Sequence, residues 1–182
     1  MNIEAEYKYL VDKIPKNYTE KKDILQFYIK PTRELKNFLN VRKDEKICTA
    51  RIRIENLETN PKYILTLKTD GYFKRHEYEK EIDEHFAKIL LQKPISYISK
   101  KRYVAVVEGI KFEFDEYKGH LKDLKTCEIE VQNNNLSQFD IEKYFTDYFK
   151  IKFENVTFDK KYMNSNLAKK IEEKVWWKQQ IM

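Results

Sequence analysis

Glycine is scarce in this chain, three residues in 182, and it is accompanied by only four prolines, two cysteines and three histidines. Three glycines leave no G-x-G-x-x-G fingerprint and no P-loop, so any phosphate must be gripped by side chains rather than by a backbone cradle. Cys48 and Cys127 lack the paired Cys or His spacing of a zinc site, and both read as reduced and buried. No run approaches the roughly 18 apolar residues of a membrane helix, and the N-terminus has no apolar stretch with a cleavage site. These absences point to the cytoplasm and to no membrane partner. No repeat or low-complexity tract is evident beyond Asn133-Asn134-Asn135, read as a turn. Arginine is also rare, six against 30 lysines, which makes each one a candidate for a place needing a planar, permanently charged fork.

What is present is charge and aromatic bulk. Charged residues make up 36% of the chain, hydrophobic residues 41% and aromatics 14%, the composition of a folded, charge-rich domain rather than a disordered one. The length suits a single domain over 1–182. The net charge of +6 favours an anionic partner, and the charge alone does not choose among nucleic acid, nucleotide, polyphosphate and a membrane surface. The Lys21-Lys22 and Lys160-Lys161 pairs have no interleaved aromatic platform for base stacking, so no nucleic acid is expected.

Alternation marks strands along most of the chain. Ile3–Leu10, Asp23–Lys30, Ile47–Glu55, Tyr63–Lys68, Phe73–Ile82, Ile98–Val107, Ile110–Lys118 and Leu124–Gln132 all read so, with Asp70-Gly71 and Glu108-Gly109 as hairpin turns. Asp83–Gln92 and Ser137–Phe149 have helical spacing, and Asn166–Gln180, with Trp176 and Trp177, reads as a terminal helix. Thr32–Lys46 is open between a lid, a short helix and a strand extension.

One parity class of these strands collects Glu4, Glu6, Lys8, Arg51, Arg53, Lys68, Arg75, Glu77, Glu79, Lys100, Arg102, Glu113, Asp115, Glu128 and Glu130 on a single sheet face. A solvated outer face produces the same alternation. Same-sign neighbours two apart, Glu-x-Glu or Arg-x-Arg, repel one another, however, and a solvated face gains nothing from them. Bound ions of opposite sign account for such pairs: hard carboxylate oxygens for Mg²⁺ or Mn²⁺, guanidinium and ammonium groups for phosphate. Curling the sheet to closure would turn this face inward as a charged tunnel.

The first strand, Glu4-Ala-Glu6-Tyr-Lys8, resembles the Glu-x-Glu-x-Lys signature of the triphosphate tunnel metalloenzymes, the CYTH superfamily. Arg51-Ile-Arg53, Leu65-Thr-Leu-Lys68, Arg75-His-Glu77-Tyr-Glu79, Lys100-Lys-Arg102, Glu113-Phe-Asp115, Glu128-Ile-Glu130 and Tyr162-Met-Asn164-Ser-Asn166 follow in that family's order. The resemblance implies an α+β fold, an eight-stranded antiparallel closed β-barrel with covering helices. It implies divalent metal, two Mg²⁺ or Mn²⁺ ions per site, on Glu4, Glu6, Glu77, Glu79, Asp115, Glu128 and Glu130. It also implies a small-molecule triphosphate gripped by Lys8, Arg51, Arg53, Lys68, Arg75, Lys100 and Arg102, with Lys8 as the catalytic residue that orients or polarises water.

The stand-alone bacterial members suggest tripolyphosphate hydrolysis. A class IV adenylyl cyclase or a thiamine triphosphatase is the alternative, and a non-catalytic polyphosphate-binding module is a further one that the intact acidic set argues against. A homodimer is compatible with the resemblance, and the sequence does not fix the oligomeric state. Phe27 stands where relatives often carry glycine and is expected near a tunnel mouth; His76, His85 and His120 read as surface or turn residues, and Tyr103 and Tyr162 as packing residues, with Tyr162 within reach of the tunnel.

Overall fold

The computed structural model describes residues 2–131 and 136–171. Eight strands follow the predicted order: β1 (Asn2–Val11), β2 (Glu20–Ile29), β3 (Ile47–Glu55), β4 (Lys62–Thr69), β5 (Lys74–Ile82), β6 (Ser96–Val107), β7 (Ile110–Tyr117) and β8 (Lys125–Glu130). They pair in the order β6-β2-β3-β4-β5-β1-β8-β7, and β7 pairs back to β6. Every pairing is antiparallel, so the sheet closes into an eight-stranded barrel without a free edge around the ring.

The turns follow from local chemistry. Val107 and Ile110 face each other across a two-residue turn in which Glu108 has φ 52° and Gly109 φ 79°, the pair of positive φ values that a tight hairpin with the right twist demands. At Gly71 a Cβ would stand 2.2 Å from the Lys74 carbonyl oxygen, so only glycine fits.

Helices cover the outside. Thr32 caps α1 (Arg33–Phe38), which decides the ambiguous Thr32–Lys46 stretch in favour of a short helix and a loop. Asp83 caps α2 (Glu84–Leu90) by accepting from the Phe86 amide. Ser137 and Asp140 form a capping box at α3 (Gln138–Lys143), which runs into a π-helical turn at Tyr144–Phe149. One apolar cluster lies under α1 and α2, with Ile52, Leu65, Leu67 and Leu91 fully buried; another lies under α3, around Tyr9, Phe112, Phe114 and Phe145. The hydrophobic core therefore sits outside the barrel, and the charged face is inside.

Four expectations change. Phe27 lies fully buried in the outer core beside Ala50 and Ile52, because Gln26 and Tyr28 are the β2 residues that turn inward; it does not narrow a tunnel mouth. Cys48 is exposed, whereas Cys127 is buried as expected. The terminal helix does not run from Asn166: α4 (Asn164–Leu167) is a single turn, Ala168 turns extended, and β10 (Lys169–Lys170) adds to the edge of β6. A short strand, β9 (Phe153–Asn155), pairs with β1 where no strand was expected. Gln132, the Asn133-Asn134-Asn135 turn, Trp176 and Trp177 lie outside the described residues. Among the described residues no helix is long and apolar enough to cross a membrane.

Candidate active site

Strand parity, fixed by the outer core, carries the charged residues inward. Glu4, Glu6, Arg51, Arg53, Lys68, Arg75, Glu77, Glu79, Lys100, Arg102, Glu113, Glu128 and Glu130 line the barrel interior. Lys8 lines the continuation of the same passage, which shares Glu6, Arg51, Lys68, Arg75, Glu128 and Asn164 with it. Asp115 differs from the other predicted ligands. It is fully buried, its two oxygens each accepting at 2.7 Å from the Arg102 guanidinium while Lys100 also bonds to it, so in this structure it holds two bases in place. Glu113, two residues earlier on the same face, reaches the cavity and pairs with Lys111 and Arg102.

The interior is a continuous ion-pair network. Glu4 takes Lys68 at 2.8 Å and Arg75 Nε at 2.6 Å, and Arg75 reaches on to Glu6 at 2.7 Å. Arg51 lies 3.3 Å from Glu77, and Arg53 lies 3.2 Å from Glu55 and 3.5 Å from Glu79. Lys8 donates to Glu128 at 2.9 Å, and Arg102 holds the other Glu128 oxygen at 2.7 Å.

Like charges are nevertheless crowded together, and burial and neighbouring charge shift their ionisation. Burial, with the Glu4 and Glu128 carboxylates beside it, pushes Glu6 up to about 7. Burial likewise raises Glu77 and Glu130. Among the bases, burial together with the neighbouring Arg51 lowers Lys68 and Arg53, and burial brings Lys100 down to about 8 despite Asp115. Glu4 goes the other way: burial opposes ionisation, but Lys68 and Arg75 outweigh it and bring its pKa to about 2. For Lys8, burial favours the neutral amine, yet Glu128 and its other acidic neighbours prevail and raise its pKa, so it stays an ammonium. A protonated Lys8 can donate to phosphate or water but cannot accept a proton.

The arrangement suits a cation beside a polyanion. Among the described residues no three Asp, Glu, His or Cys side chains are drawn together at metal-holding distance, since the carboxylates lean on the bases instead. The chemistry of the donors still fits: Glu6, Glu77 and Glu130 are hard oxygen donors whose raised pKa values a divalent ion would relieve. On the anionic side, the buried Nε of Arg51 has no hydrogen-bond acceptor among the described residues, which a phosphate oxygen would supply.

Sequence reasoning missed Asn164 as a site residue. Its Oδ1 accepts from Tyr117 Oη at 2.7 Å and from Lys8 Nζ at 3.3 Å, while its Nδ2 donates to Glu128 at 3.1 Å, so it fixes both partners of the Lys8–Glu128 pair. Strand parity cannot find a helical residue, and the only signal was its place in the Tyr162–Asn166 stretch. Gln26, which lines the cavity, was missed as well because it carries no charge. His76 bonds Glu45 at 2.6 Å, His120 a backbone carbonyl, and His85 is exposed, so none belongs to the site.

No protein-family model matches the chain. It is 31% identical over 122 residues to the inorganic triphosphatase of Nitrosomonas europaea, a match that covers 66% of this chain and 77% of that relative. A solved inorganic triphosphatase superposes with a TM-score of 0.54 at 27% identity, covering 95% of this chain and 99% of the other. A Hippeastrum candidate adenylyl cyclase with a dominant triphosphatase activity shares the fold, with a TM-score of 0.60 at 17% identity over 83% of this chain and 90% of that one. With its closed barrel, inward ion network and Glu-x-Glu-x-Lys strand, this chain belongs to the CYTH superfamily of triphosphate tunnel enzymes.

Proposed function

We propose that the chain hydrolyses inorganic tripolyphosphate to pyrophosphate and phosphate inside the barrel, with Mg²⁺ or Mn²⁺ as cofactor. The observation that carries this reading is that both sets of charge meet in one cavity: Arg51, Arg53, Lys68, Arg75, Lys100 and Arg102 line it together with Glu6, Glu128 and Glu130. The inorganic triphosphatase relative supports the same substrate. A pure anion-binding module would need only the bases.

The chain's own residues bind and align. The arginines grip phosphate oxygens in pairs, which holds the chain of phosphates in line for attack on a terminal phosphorus and breakage of its anhydride bond. Lys8, kept charged by Glu128 and held by Asn164, donates to the incoming water or to a phosphate oxygen. Glu4, Glu6, Glu128 and Glu130 would hold the divalent ion, with Glu77, Glu79 and Glu113 on the same wall. When bound, such an ion offsets phosphate charge and makes water more acidic. The two free cysteines, one of them buried, support a reducing compartment, the cytoplasm.

A second reading has one observation in its favour. Tyr72, Tyr162, Val156 and Met163 line the Lys8 end of the passage, an apolar patch that an organic group on a triphosphate could use. ³¹P NMR of reactions with tripolyphosphate, ATP and thiamine triphosphate separates the two. Pyrophosphate and phosphate from tripolyphosphate as the fastest reaction support the proposal; cyclic AMP formation, or preference for an organic triphosphate, supports the cyclase or thiamine triphosphatase.

A further inference from the structure

Given a triphosphate bound in the barrel, as proposed above, we infer that Lys111 is a further substrate-binding residue, a long-stemmed ammonium at the rim that turns from Glu113 onto a terminal phosphate. The fold puts it there. Phe112 and Phe114 are fully buried in the outer core, so the alternate residues of β7, Lys111, Glu113 and Asp115, turn into the barrel. Exposure falls along this row: 51% of the Lys111 side chain is open to solvent, 16% of Glu113 and none of Asp115. Lys111 therefore stands outermost, opposite Val106 and next to the Val107–Ile110 turn pair. It lines the cavity with the arginines but not the continuation that holds Lys8, so the two ammonium groups serve different parts of the passage.

Its present bond is one that can be exchanged. Lys111 Nζ lies 2.6 Å from Glu113, its one ion pair among the described residues. Arg102 holds the other Glu113 oxygen, so Glu113 keeps a cation when Lys111 leaves. An ion pair half in water contributes little, and the three donors of an ammonium on a flexible stem are easily re-aimed. The other six bases of this cavity are placed differently: their side chains are 16% exposed or less, and each already has a carboxylate beside it. Among the described residues seven carboxylates face seven bases here, Lys111 included, and a triphosphate brings several further negative charges. Lys111 is the base that can turn to that charge at least cost. In the sequence it gave no signal, as one lysine among 30.

The test is isothermal titration of the full-length protein with a non-hydrolysable imido analogue of tripolyphosphate in Mg²⁺ buffer, which reads binding without turnover. Lys111→Met should weaken binding about 5-fold or more, and Lys111→Arg, which keeps the charge, should recover most of the loss. The loss should persist when Lys111→Met is made in a Glu113→Gln background, because the partner that matters is the phosphate. Circular dichroism checks that each variant keeps the barrel. Unchanged affinity in Lys111→Met would overturn the role of Lys111, as would a loss that disappears in the Glu113→Gln background, since Lys111 would then serve only to neutralise Glu113. Either result leaves the triphosphate reading in place. A wild-type protein that does not bind the analogue would overturn that reading and the role of Lys111 with it.

Discussion

Lys8 and Glu128 are register partners across the β1–β8 pair, and their side chains meet inside the barrel with Nζ 2.9 Å from Oε1. Both are largely buried, and Asn164 and Arg102 hold the carboxylate from other sides. The pair joins the acidic residues of the barrel to the Lys8 ammonium, so removing its charge should disturb both.

Glu128→Gln keeps volume and hydrogen-bonding capacity but leaves Lys8 and Arg102 facing a neutral group. Tripolyphosphate hydrolysis should fall at least about 100-fold, some 2.7 kcal/mol of transition-state stabilisation. Steady-state phosphate release checks the loss, and an unchanged circular dichroism spectrum checks that the barrel survives. Turnover within a few-fold of wild type would contradict the assigned role.

Arg51→Lys retains charge but loses the planar fork and the buried Nε–H. We expect kcat/KM for tripolyphosphate to drop about 10-fold or more, the difference between a two-pronged grip and a point charge. Initial-rate kinetics on the purified variant measure it directly.

Metal and proton should compete at Glu6. Its folded pKa of about 7 stands above the ordinary 4.5, so protonation of the folded form adds stability that is fully present below about 4.5 and lost as pH rises through 7. A divalent ion restores the loss only where Glu6 is ionised. Thermal denaturation with and without Mg²⁺ should therefore show a larger rise in Tm near pH 8 than near pH 5.5; equal rises at both would rule out Glu6 as a ligand. A chelator should abolish turnover at either pH.

Much of this was written in strand parity. The inward residues are separated by one position along each strand, and a closed barrel with its core outside preserves that alternation, so Arg51 and Arg53 or Glu128 and Glu130 could be placed together before any coordinates. The parts that escaped depend on contacts distant in sequence. Asn164 reaches Lys8 across 156 positions from a one-turn helix, and Asp115 shares the parity of Glu113 yet is taken up by Lys100 and Arg102. Phe27 misled because a substitution relative to a family pattern does not reveal which face of β2 it occupies; its neighbours Gln26 and Tyr28 take the inner face. β9 is three residues long, too short for alternation to register.

The substrate is tested most directly by comparing kcat/KM for tripolyphosphate and ATP in the same Mg²⁺ buffer. If the charged forks supply most of the binding and the apolar patch at the Lys8 end adds little for a base or sugar, tripolyphosphate should lead by at least about 10-fold, roughly 1.4 kcal/mol of differential transition-state binding. Equal values, or a lead for ATP, would contradict the account.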